Sequence, residues 1–305
     1  MNHNHVALFL DVVEQGSING AARMRNVAQS AVSRIVRELE LTHGIRLLDR
    51  HTWGIEPTEA GKVLADLARA IRAEANVAEK ELDILKTSAA APRLRIGTGR
   101  TTAASILPKA LEHLTRTDPS CRVYVQTTQF DALLRTLARG ELDLVLGRIG
   151  NFDLPEGLVE ELLYHDSMVL LSGSHNRLAR KKSVTNVDLA AARWVLPPRD
   201  AEPWRDTEAF FHSLGMSVPV ASIESDSVEL VRAILHSDEE WLALMPRDLF
   251  RLDISARKVV ILREAPKALV RPVGVVRRRR GQGDQKHPFK TFREILNVVA
   301  AEHLL

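Results

Sequence analysis

The 305-residue sequence holds a single cysteine, Cys121. That excludes an intramolecular disulfide and leaves no Cys-x-x-Cys pair for a metal or a redox couple. The residue is expected to sit in a core as a small apolar group. Long apolar runs are missing as well. No stretch of about 18 apolar residues is available to cross a membrane, and the opening MNHNHVALFLDVVEQG has no basic start, long apolar segment or small-residue cleavage site. A globular, cytoplasmic chain without membrane contact is expected. Signatures of catalysis are equally scarce. GTGRTT at Gly97 to Thr102 lacks the third glycine of a dinucleotide loop, no Gly-x4-Gly-Lys-Ser/Thr loop occurs, and GSHN at Gly173 to Asn176 is not a nucleophile elbow. Neither His-Glu-x-x-His nor a paired Cys/His set suggests zinc. No catalytic residue, metal ligand or cofactor is therefore assigned. His3 and His5 read as solvated, and Met24, Met168 and Met245 as fillers of core gaps.

Positive charge is short where a polyanion site would be sought first. Residues 1–61 carry six Arg against seven acids, whereas Arg257 to Arg293 carry twelve Lys or Arg against two, including RRRR at Arg277 to Arg280. The overall balance of +3 thus locates no nucleic-acid surface. The basic tract reads as solvated surface and strand end, with a second polyanion contact as the alternative.

What is present is periodicity. Residues 3–57 divide into three short helices and a turn. Val6, Phe9, Leu10 and Val13 mark the first apolar face, and Ile18, Ala21 and Ala22 the second. In AQSAVSRIVRELE, Val32, Ile35, Val36 and Leu39 form a third, while Gln29, Ser33 and Arg37 recur on another side. The tight gap at Asn26 to Gln29 suggests a helix-turn-helix, and Gly54 and Pro57 suggest a hairpin wing. Thr58 then caps a long helix, with Glu59 in its first turn. Positions 61, 64, 68, 71, 75, 78, 82 and 85 read Gly, Leu, Ala, Ile, Ala, Ala, Leu, Leu, a three-four alternation that normally faces a like helix. Dimerisation follows. The alternative is a lone helix lying on its own domain, since four of those eight residues are Ala or Gly and bury little area. TSAAAP at Thr87 to Pro92 reads as a linker. Beyond it RLRIGTG, CRVYVQT and LDLVLGR alternate with helical stretches, a βαβαβ rhythm that predicts a parallel sheet covered by helices, in two small lobes.

The first 61 residues resemble the winged helix-turn-helix of LysR-type transcriptional regulators. The match lies in Phe9, GSINGAA at 16–22, VAQSAVS at 27–33, Leu39 and Glu40, Gly44, LLDR at 47–50 and PTEAG at 57–61. DLVLGRIG, WVLPPRD and HSDEEWLALMP look most like the branch containing regulators of aromatic-acid and sugar catabolism. The resemblance implies an all-α winged helix-turn-helix domain with a long linker helix, plus an α/β two-lobed effector domain similar to type 2 periplasmic binding proteins. It divides the chain into 1–61, a dimerising helix and hinge at 62–92, and an effector domain at 93–305. Within the last, lobe I spans about 93–164 and 268–305, and lobe II about 165–267.

It further implies double-stranded DNA, a small organic effector and a second copy of the chain as partners, in a homodimer or homotetramer, and admits RNA polymerase. In a major groove, Gln29, Ser30, Ser33, Arg34 and Arg37 would reach bases or phosphates. Arg50, Thr52 and Trp53 of the wing would meet backbone or minor groove; the alternative for Trp53 is an aromatic that packs the wing. Three positions depart from the family pattern. Ala28 replaces a cap serine, so that Ser30, in place of a proline, would take over the cap, and Arg25 stands where a buried leucine is common and would lay its stem into the core.

Ligands of open α/β sheets sit beyond the C-terminal ends of the strands. Gly99, Arg100, Thr101, Thr102, Thr127, Thr128 and Arg148 of one lobe and Arg199, Asp226 and Ser227 of the other are the candidates, and hydroxyls, helix ends and arginines together suit a carboxylate. Thr101, Thr102 and Ser227 can instead be simple helix caps. Three rivals share parts of this pattern: a transport solute-binding protein, opposed by the absent leader and the extra N-terminal region; a cleft enzyme, for which no nucleophile, base or metal set is found; and a nonspecific DNA binder, whose phosphate-only binding would weaken steeply with salt.

Overall fold

Side chains of modest size set how the first three helices meet. In the computed structural model, which describes residues 3–86, 93–150, 153–237, 240–266, 269–279 and 287–303, α1 (His3–Gln15), α2 (Ile18–Arg25) and α3 (Gln29–His43) close around Phe9. Val6, Leu10, Ile18, Ala21, Ala22, Val32, Val36 and Leu39 share that core, with Val13 and Ile35 at its edge. Ser17 caps α2 by accepting from the Gly20 amide at 2.9 Å. Asn26, in the left-handed region at φ 55°, ends it, which turns the chain sharply into α3. β1 (Leu48–His51) and β2 (Gly54–Pro57) form the antiparallel wing.

Four expectations are corrected here. Ser30 does not cap α3: Ala28 occupies the cap without a side-chain bond, and Ser30 lies exposed inside the first turn. Arg25 does not thread into the core but turns its Nε to Asp11 Oδ2 at 2.6 Å, because an almost wholly buried carboxylate needs a cation. Met24 is 51% exposed rather than filling a gap. The seam of α4 (Glu59–Lys86) splits: Leu64 and Ala68 pack, with Ala65, into the N-terminal core, while Ile71, Ala78 and Leu82 stay exposed. Gly61 is needed for that packing, since a Cβ there would stand 2.0 Å from the Leu47 carbonyl oxygen. The expected linker at 87–92 lies outside the described residues.

The remaining elements are β3 (Arg93–Thr98), α5 (Arg100–Ala104), α6 (Ile106–Thr117), β4 (Arg122–Thr127), α7 (Phe130–Ala138), β5 (Leu144–Arg148), β6 (Leu158–Gly173), α8 (Asn186–Ala190), β7 (Arg193–Leu196), α9 (Trp204–Ser213), β8 (Ile223–Glu224), α10 (Val228–Leu235), β9 (Trp241–Pro246), α11 (Arg251–Ser255), β10 (Val259–Glu264), β11 (Val270–Arg278) and α12 (His287–His303). Their strands run β4-β3-β5-β11-β6-β9-β7-β8, with β10 also on β6. The expected parallel sheet is in fact mixed: β3 pairs in parallel with β4 and β5, and β7 with β8 and β9, but every pairing of β6 and β11 is antiparallel. The long strand β6 changes partner midway. Up to Ser167 it pairs with β11, and from Met168 with β9. One lobe packs α6 and α12 on one face and α7 on the other, the second packs α9 and α10 likewise, and Cys121 is buried in the first. α4 touches the first lobe through Asn76, whose Nδ2 donates to the Arg139 carbonyl at 2.8 Å, and through Arg69 on Glu156 at 3.2 Å. No described helix is long and apolar enough to cross a membrane.

Replacing Gly61 by Ala forces the start of α4 off the Leu47 carbonyl. Urea titration should show a loss of about 1–3 kcal/mol, the usual cost of overpacking.

Candidate DNA-binding surface and interlobe site

The apolar face of α3 is spent on the core, so its other residues face out. Gln29, Ser30, Arg34 and Arg37 are exposed and Ser33 is half-buried; Gln29 Nε2 lies 3.5 Å from Ser33 Oγ. No acid pairs with Arg34 or Arg37 among the described residues. Arg50 and Thr52 are exposed on the wing. Trp53, 77% exposed, packs no core and stacks on His51 with ring centroids 4.7 Å apart and planes within 2°. Two acids, Glu40 of the sequence motif and Asp11, which the sequence did not single out, hold this surface in place. Glu40 Oε1 accepts from the Leu47 and Leu48 amides at 2.8 and 3.2 Å, fastening the wing to α3. Asp11 holds Arg25 and lies 3.9 Å from Arg72 of α4, which also grips Glu14 at 2.6 Å.

At the other candidate site the strand ends converge. Gly99 caps α5 and donates to the Leu146 carbonyl at 2.7 Å. Thr102 is fully buried, its hydroxyl 2.8 Å from that of Thr98 and donating to Leu146 O at 3.1 Å. Its role is to seat α5 on β5. Thr101 is half-buried, and Thr127 and Thr128 are exposed. Arg100 reaches across to the second lobe and donates to the Asp226 carbonyl at 2.6 Å. Ser227 caps α10. Arg199 lies over the Trp204 ring, 5.2 Å from its centroid. Arg148 meets two acids of the second lobe, Asp206 in a fork at 2.8 and 2.9 Å and Glu202 at 2.9 Å.

Behind that fork lies a buried polar crossing where β6 and β11 meet the second lobe. Arg271 Nε stands 3.4 Å from Asp206 Oδ2, and Arg271 is the register partner of Asp166. Asp248 accepts from Tyr164 at 2.5 Å and bonds His303 at 2.8 Å. Burial pushes the Asp166 carboxyl up, the Asp248 charge adds to it, and together they outweigh Arg271 and two backbone amides, raising it to about 7. Burial pushes Asp248 the same way, but hydrogen bonds from His303 and Tyr164 hold it below its ordinary value. Tyr164, buried beside that charge, is driven far up. Sequence reading missed Asp206, Glu202, Asp166 and Arg271; a charge inside YHDSMVLL or VRPVGVV was the available signal. Among the described residues no cluster suits a metal ion.

A carboxyl whose proton is held more tightly in the folded chain supports folding fully below pH 4, and that contribution is lost as pH rises through about 7. The groups facing it are Asp248, Tyr164, Arg271 and the Ser167 amide. Asp166→Asn should therefore gain stability relative to the natural chain between about pH 5 and about pH 8.5, by about 1 kcal/mol or more. Thermal melts at both pH values check this; a constant difference refutes it.

Residues 3–62 match the family model described as bacterial regulatory helix-turn-helix protein, lysR family, and residues 88–300 match the LysR substrate binding domain. The HTH-type transcriptional regulator YdcI of Escherichia coli strain K12 is 27% identical over 277 residues, 90% of this chain and 88% of its own. In fold, the chain is similar to full-length LysG of Corynebacterium glutamicum with bound effector Arg, at a TM-score of 0.60 and 20% identity over 99% of each chain. It is likewise similar to full-length CbnR complexed with its target DNA, at a TM-score of 0.54 and 21% identity over 98% of this chain and all of that one.

Proposed function

The chain belongs to the LysR family of bacterial helix-turn-helix transcriptional regulators, with an effector-binding domain, and on that premise we propose that it reads a two-part DNA site under the control of a small organic carboxylate. The observation that carries this reading is the outer face of α3. Gln29, Arg34 and Arg37 are exposed, and neither arginine has an acidic partner among the described residues, while the opposite face is fully used by the core. Set in a major groove, Gln29, Ser30, Ser33, Arg34 and Arg37 contact base edges and phosphates. Arg50, Thr52 and Trp53 meet backbone or minor groove from the wing. The likeness to CbnR solved with DNA and to LysG solved with an effector supports both halves.

A second copy packs on α4. The exposed Val63, Leu67, Ile71 and Leu82 form its remaining apolar stripe, too large a run to leave in water on a helix already fixed at its start. The pair sets two α3 helices about one helical turn of DNA apart; a tetramer joins two such pairs. The division at 1–61, 62–92 and 93–305 follows from these roles. The effector binds between the lobes, with Gly99, Arg100, Thr101, Thr102, Thr128, Arg148, Arg199, Asp226 and Ser227 as the candidate lining. It acts by favouring one lobe arrangement over another. The protein works in the cytoplasm, where its DNA and RNA polymerase are.

Gel shifts on the fragment upstream of the protein's own gene test the first claim. Arg34→Ala should weaken binding by tenfold or more, about 1–3 kcal/mol for a lost base contact, with the fold intact by circular dichroism; equal affinity for unrelated DNA would refute sequence-specific reading. For the second, Ile71→Glu with Leu82→Glu should convert the oligomer to a monomer in light scattering and reduce operator affinity in parallel.

A further inference from the structure

The two guanidinium groups at the centre of the interlobe site already face a carboxylate of this chain. Arg148 is forked on Asp206, with Glu202 on the same Nη1. Arg271 sets its Nε 3.4 Å from Asp206 Oδ2. Asp206 itself is largely buried, its side chain 16% exposed. Asp166, across the ladder from Arg271 and 3% exposed, has no hydrogen-bond partner at Oδ2, and Arg271 has none at Nε. The seat therefore holds an internal carboxylate on its cations, and beside it one carboxylate oxygen, Asp166 Oδ2, without a hydrogen-bond partner.

A plain carboxylate entering this seat must displace Asp206 from Arg148. Asp206 would then be a charge without a partner in a poorly hydrated place, which opposes binding. A ligand that brings an ammonium group with its carboxylate avoids this: the carboxylate takes the guanidinium groups, and the ammonium, with three donors, takes Asp206 and the open oxygen of Asp166. We propose that Asp206 is the specificity-determining residue of the interlobe site, selecting an α-amino acid or similar zwitterion over the corresponding plain acid. The inference rests on the cleft being the effector site, as proposed above, and narrows the carboxylate to one bearing an amine.

The test uses the full-length protein and two matched panels, the twenty standard L-amino acids and their des-amino acids, with dissociation constants from calorimetry. At least one amino acid should bind the natural chain tenfold or more tightly than its des-amino partner. Asp206→Asn, which keeps shape and removes the charge, should reduce that preference tenfold or reverse it, while Asp206→Glu should retain it; circular dichroism melts show that both variants fold. Arg148→Ala should abolish binding of both panels. The inference is overturned if plain acids bind as well as their amino partners, if no amino acid binds, or if Asp206→Asn leaves the preference unchanged while folded. Plain acids that bind, and lose binding in Arg148→Ala, leave the cleft reading standing and remove only the role of Asp206. Binding that survives Arg148→Ala, or the absence of any binding from either panel, defeats the cleft reading as well.

Discussion

Two lobes share one continuous strand, and the change of partner along it places charges where a strand interior is normally apolar. β6 leaves β11 at Ser167 and joins β9 at Met168, so the crossing lies between Tyr164 of one lobe's core and Met168 of the other's. Asp166 and Arg271 sit there, nearly buried, and Asp206 and Arg148 close over them from opposite lobes. Ion pairs in such a place contribute little net stability, because desolvation offsets their attraction, but separating one partner from another is costly. The arrangement makes the relative position of the lobes a question of which charges are matched.

The N-terminal unit uses the same device on a smaller scale. Asp11 is buried among apolar helices and answered by Arg25 of α2, with Arg72 of α4 nearby. Three helices are thereby fixed to one carboxylate, and Glu40 ties the wing to α3 through backbone amides. The outward residues of α3 and the wing are thus presented by a rigid frame that continues into α4. That helix in turn rests on the first lobe through Asn76 and Arg69. Short polar contacts thus join the helix behind the outer face of α3 to the first lobe.

Much of the fold was legible because its signals are local. The spacing of Phe9, Ile18, Val32 and Leu39 places one face of each helix inward, and Gly44 and Asn26 supply backbone freedom at the turns. Alternating strands and helices after residue 92 predict a layered α/β region. Misreadings share a cause. The α4 periodicity shows an apolar stripe but not what covers which part of it, so Leu64 and Ala68 were counted with Ile71 and Leu82. The parallel rhythm of the first three strands gives no hint that β11, about 120 residues further along, returns antiparallel between β5 and β6.

The candidate sites divide along the same line. The outer face of α3 can be read from fifteen consecutive residues, since helical geometry alone separates it from the buried face. By itself the sequence determined the module order, the buried faces of the first three helices and the family to which the chain belongs. The tertiary structure alone decided which groups meet: Arg148 with the Asp206 carboxylate, Arg100 with the Asp226 backbone carbonyl, Asp166 opposite Arg271. Those partners are separated by 58, 126 and 105 positions in the chain, and pairing over such distances depends on strand order and register, which no local pattern encodes.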